Sequence, residues 1–114
     1  MTRVIDVDTF DSYGGRVRLF GADTPERGER CFSEASQRLR DLAGTIVRVE
    51  PGPRTQDRYG RLLYYAYTES GESVEETLIR EGLARAWTRD GQHRDSLLRV
   101  EESTRRNRTG CLWK

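Results

Sequence analysis

Lysine is almost missing from this chain: of its 20 basic residues, 19 are arginine and Lys114 is the one lysine. Such a bias is common in GC-rich genomes, and it marks most of these arginines as surface charge. An excess of one charge sign is missing too. Lys+Arg 20 against Asp+Glu 19 leaves +1, so bulk electrostatics does not call for a nucleic-acid partner, and any affinity for phosphate must come from local placement. No apolar run approaches the ~18 residues of a membrane span, and Met1 to Val4 lack a hydrophobic signal core, so membrane insertion is not expected. The two cysteines, Cys31 and Cys111, come without a CxxC pair or a Cys/His cluster, which excludes the usual zinc spacings. They are either two buried thiols or a disulfide, and a bridge would close most of the chain into one loop, stabilising it by about 4 kcal/mol. On the disulfide branch a secreted or cell-envelope origin is expected, with a signal peptide removed. The sole histidine, His93, has no serine or cysteine elbow near it and reads as a helix-start residue.

What is present fits one domain over residues 1–114, expected to act as a monomer, with a small core and a densely ionic surface: 34% of residues are hydrophobic and 34% charged. Arg3 to Ile5, Thr9 to Tyr13 and Arg16 to Phe20 are short β-prone runs, the last two joined by the hairpin signal Gly14-Gly15. From Ser33 to Ala43, Ala35, Leu39, Leu42 and Ala43 recur at helical spacing, with Ser33 as a cap and Gly44 as a stop. Thr45 to Glu50 returns to β-branched residues. Pro51-Gly52-Pro53 then predicts a loop to about Gly60, because proline neither continues a helix nor donates to a ladder. Arg61 to Thr68 is a strand rich in tyrosine. Ser73 and Glu76 form a capping box for a short helix ending at Gly82, and a last helix is expected from His93 to Arg106, with Gly110 breaking it. Strands, an inserted helix, another strand and then helices predict a mainly β fold with helices (α+β). Its architecture is a five-stranded oligonucleotide-binding barrel with about three α-helices.

Three segments concentrate charge where mere decoration is not expected: Val4-Ile5-Asp6-Val7-Asp8-Thr9, Arg18 to Glu26, and Asp57-Arg58-Tyr59-Gly60-Arg61. Asp6 and Asp8, two apart on an extended chain, share a face. Arg18 interrupts an apolar strand whose exit, Asp23-Thr24-Pro25-Glu26, is fixed by proline. Taken singly, each has a bland reading as a turn acid or half of a structural ion pair. An EF-hand is excluded, because Phe10 and Asp11 stand where that loop needs an oxygen ligand and a glycine.

In their order and form these segments resemble the staphylococcal nuclease (thermonuclease) family, and the likeness continues through Ser33-Glu34-Ala35 and Glu81-Gly82-Leu83-Ala84. The resemblance implies a phosphodiesterase that hydrolyses DNA and RNA with low sequence specificity, leaving 3′-phosphate ends. It implies Ca²⁺ held by Asp8, Asp23 and the backbone carbonyl of Thr24. It places Glu26 where it orients or deprotonates the attacking water, Arg18 and Arg61 on the reacting phosphate, and Arg58 and Tyr59 on a terminal phosphate. Val7 stands where the family usually has glycine, the loop from Arg27 to Phe32 is shorter, and Trp87 and Thr88 replace expected tyrosines, so base preference does not transfer. Tyr64, Tyr65, Tyr67 and Trp87 read as core before they read as base-stacking platforms. A non-catalytic module of the same fold that binds nucleic acid or peptide is the alternative. Against it, Asp8, Arg18, Asp23, Glu26 and Arg61 are all present.

Overall fold

The computed structural model describes residues 3–6, 9–12, 15–43, 47–56 and 62–114, with side chains described for 19–42, 48–52 and 63–114. Three short strands open the chain, β1 (Arg3–Asp6), β2 (Thr9–Ser12) and β3 (Gly15–Leu19), each antiparallel to the next. β3 then pairs parallel with β6 (Leu62–Thr68), which pairs antiparallel with β5 (Val47–Gln56). The resulting five-stranded sheet has the order β1-β2-β3-β6-β5. A ribbon of β4 (Ala22–Asp23) and β7 (Arg85–Ala86) forms a second sheet. Seven strands are thus present among the described residues, five of them in the larger sheet. No pairing of β1 with β5 that would close the sheet is found among the described residues.

Four helices are present among the described residues rather than about three: α1 (Phe32–Ala43), α2 (Val74–Arg80), α3 (Arg94–Arg106) and the one-turn α4 (Gly110–Trp113). The α1 helix starts a residue earlier than its pattern suggests, so Ser33 lies inside the first turn and does not cap it. Gly44, its expected stop, lies outside the described residues, as do Tyr13 and Gly14 of the first hairpin. Ser73 caps α2 as the capping box predicts, its side chain accepting from the Glu76 backbone N–H at 3.0 Å. The α3 helix ends at Arg106, ahead of Gly110, and Gly110 itself opens α4.

The loop expected from Pro51 is corrected to strand. β5 continues to Gln56, Pro51 stands opposite Tyr64, and the register shifts before Gln56 pairs with Leu62. Proline on a strand lying at one end of the sheet order sacrifices no inner ladder bond, and the bulge absorbs the rest.

The core lies between sheet and helices. Leu19, Phe20, Leu63, Tyr65 and Ala66 meet Ala35 and Leu39 of α1, Val74, Leu78 and Ile79 of α2, and Leu97 of α3. Tyr65 is buried while Tyr64, Tyr67 and Trp87 are half-buried against this cluster, which fits their reading as core. Cys31 and Cys111 are joined by a disulfide spanning 80 residues of sequence.

Candidate active site

Three of the candidate residues, Asp23, Thr24 and Glu26, lie in the segment that follows β3. Leu19 and Phe20 are anchored in the core, and the Phe20 backbone N–H donates to the Tyr64 carbonyl at 3.0 Å, so the chain leaves the sheet from a fixed point. Ala22 and Asp23 then pair with Ala86 and Arg85. Residues directly opposite on an antiparallel pair share a face. The buried Ala22 and Ala86 therefore sit on the core side, and the exposed Asp23 and Arg85 on the solvent side.

Beyond β4 the chain makes a tight turn. The Glu26 backbone N–H donates to Glu29 Oε1 at 2.6 Å, and the Glu29 N–H returns to the Glu26 carbonyl at 2.9 Å. Gly28, at φ +91°, supplies the left-handed step this turn needs. Thr24 and Pro25 are buried while Glu26 is exposed. Thr24 Oγ1 is buried with no hydrogen-bond partner among the described residues. A native fold seldom leaves such an oxygen unsatisfied without a reason.

This turn forms one wall of an open cleft of about 430 Å³. Asp23, Thr24, Pro25, Glu26 and Glu29 line that wall, and Arg30, Arg85 and Leu112 complete it. Carboxylates and guanidiniums thus face a common space, whose Leu112 wall comes from α4. The Leu112 N–H donates to the Gly82 carbonyl at 2.9 Å, and Arg30 donates to the Leu112 carbonyl at 3.3 Å.

Of the residues read from sequence, Asp23, Thr24 and Glu26 are brought together at the cleft. Arg18 is placed by its backbone, opposite Thr9 and Leu63 in the sheet and five positions before Asp23. Asp8, Arg58, Tyr59 and Arg61 lie outside the described residues. Among the described residues no three His, Cys, Asp or Glu side chains form a metal-holding group. The oxygens at the turn, three carboxylates and an orphaned hydroxyl, are nonetheless the donors a hard cation such as Ca²⁺ prefers.

The sequence reading missed Glu29, Arg30, Arg85 and Leu112. Arg85 reaches the cleft through a strand pairing 62 positions distant from Asp23, for which a single sequence carries no signal.

A family model described as staphylococcal nuclease homologue matches residues 16–114. The chain is 40% identical over 98 residues to the endonuclease YncB of Bacillus subtilis, an alignment covering 75% of this chain and 46% of that protein. It is 33% identical over 126 residues to the micrococcal nuclease of Shigella flexneri, covering 99% of this chain and 71% of that one. With the thermonuclease of Staphylococcus intermedius the identity is 37% over 95 residues, covering 74% and 56%. The chain thus spans about half the length of the Bacillus and Staphylococcus relatives it matches.

Proposed function

The chain belongs to the family of staphylococcal nuclease homologues, and from that premise we propose that it is a Ca²⁺-dependent nuclease hydrolysing DNA and RNA. The reading is carried by the acidic turn Asp23 to Glu26 opening onto a cleft that Arg30 and Arg85 also line. Asp23, the Thr24 carbonyl and Asp8 would hold the ion, which supplies positive charge beside the scissile phosphate. Glu26 holds the attacking water in line with the P–O5′ bond. Because a carboxylate is an unfavourable base toward water, its share is first of all positioning. Arg18 and Arg61 bind the equatorial oxygens, where charge builds in the transition state more than in the ground state. Water becomes bonded to phosphorus, the 5′-oxygen leaves and takes up a proton, and a 3′-phosphate remains. Contacts to the backbone give little base selectivity.

Three further parts of the reading go with it. By the family likeness the fold is read as an oligonucleotide-binding barrel, the chain acts as a monomer, and it works outside the cytoplasm, where the disulfide is stable. Among the described residues no helix is long and apolar enough to cross a membrane.

The test is digestion of plasmid and single-stranded DNA by purified protein with Ca²⁺, with and without chelator. Chelator-sensitive cleavage is expected, and Glu26→Gln should lower kcat by about 100-fold or more. Binding of DNA with no chelator-sensitive cleavage would select the non-catalytic module instead.

A further inference from the structure

Two arginines at the cleft have no part in the chemistry above. Arg85 lies across the ribbon from Asp23, and Arg30 follows the Glu26–Glu29 turn. Both are exposed, and among the described residues neither is in a salt bridge. Both are nevertheless held in place. The Arg85 guanidinium lies 5.4 Å from the centre of the Trp113 ring, and Arg30 donates to the Leu112 carbonyl. Trp113 is half-buried, and Arg105 lies 5.1 Å from the same ring.

A guanidinium stacked on an aromatic face keeps its edge donors free, and a pre-positioned fork loses less rotamer freedom on binding than a loose one. Five N–H donors per arginine leave both with spare capacity. Planar donor pairs match phosphate oxygens, and the cleft these arginines line also carries Asp23, Glu26 and Glu29.

We infer that Arg30 and Arg85 form a second phosphate subsite, which holds the polynucleotide backbone next to, and not at, the phosphate being cleaved. The inference rests on the nuclease reading and deepens it. A substrate long enough to reach the subsite gains contacts that a minimal one does not. The pair therefore makes the enzyme prefer long strands to dinucleotides, without regard to sequence. Arg30 and Arg85 are binding residues here and touch no reacting atom.

The experiment compares wild type, Arg30→Ala, Arg85→Ala and Arg105→Ala, each in the full chain with Ca²⁺. Each is assayed on a dinucleotide and on a long single-stranded oligonucleotide over a range of salt concentrations. KM for the long strand is expected to rise several-fold more than KM for the dinucleotide in Arg30→Ala and Arg85→Ala. The slope of log affinity against log salt should fall in magnitude by about 0.7 for each arginine removed. Arg105→Ala removes the other guanidinium from Trp113 and is expected to leave the length preference as it was. The inference is overturned if both substrates weaken equally, or if Arg105→Ala reproduces the effect of Arg85→Ala, which would make it a matter of Trp113 packing. If Arg85→Ala does not fold, Arg30→Ala alone decides between the same outcomes. Wild-type protein that cleaves neither substrate would instead remove the nuclease reading beneath.

Discussion

Glu75 is a carboxyl sealed from solvent, with both oxygens accepting from the Ala66 backbone N–H at 3.0 and 3.2 Å. Burial dominates over that bond and pushes its pKa up to about 8. The folded protein therefore keeps a proton there that the unfolded chain has already released. Stability should fall as pH rises from about 4.5 toward about 8, by on the order of a few kcal/mol, and level off beyond. Urea unfolding across that range checks this, with Glu75→Gln expected to flatten the slope. Tyr67 follows the same sign at higher pH. Burial, then the charge and hydrogen bond of Glu50, push its hydroxyl up to about 12, so a further loss of stability is expected between about pH 10 and 12. Neither residue stands out in the sequence. Glu75 sits between the apolar Val74 and the capping Glu76, where a helix's second residue is ordinarily wet, and only the strand it meets explains its burial. His93 was legible as a helix-start residue, and it does precede α3. Its ring contacts with Glu50 at 2.6 Å and with Tyr65 were not, because they join segments far apart in the chain.

The start of α2 was the best-read helix end, since its cap is local chemistry, whereas Ser33 does not cap α1. Ser73→Ala removes the bond to Glu76 and should cost about 1 kcal/mol in thermal or urea unfolding. At the other end of α2, Gly82 has φ +71°, and a Cβ there would run into the Thr109 carbonyl oxygen. Gly110, at φ +78°, abuts the Glu81 carbonyl from the opposite side. The two glycines let the end of α2 and the start of α4 touch backbone to backbone. Gly82→Ala should therefore cost about 3 kcal/mol, well above the ordinary helix propensity difference, in the same unfolding assay. Both glycines were read from sequence only as helix breakers, because a tertiary crossing leaves no mark in periodicity. The opposite error came at Pro51-Gly52-Pro53. Local propensity demanded a loop, but pairing with β6 overrides it on a strand at one end of the sheet order. The two-residue strands β4 and β7 are too short to show alternation, and with them the partner of Asp23 went unseen.

Over the whole molecule, the Cys31–Cys111 bridge is the longest tether, and chain-entropy arguments give it about 4 kcal/mol. Reduction should lower the unfolding midpoint accordingly, as measured by denaturant titration with and without dithiothreitol. Cys31 immediately follows Arg30 and Cys111 immediately precedes Leu112, so the bridge also fastens together two of the segments that line the cleft. The acidic turn of this cleft was legible because its residues are contiguous, whereas Arg85 and Leu112 come from other parts of the chain. The same tether sets what happens to a damaged copy. The exposed turn around Gly71 lies between the two cysteines, so a protease that nicks the backbone there leaves two fragments still covalently linked. On a gel without reductant such a copy migrates as one species, and with reductant as two.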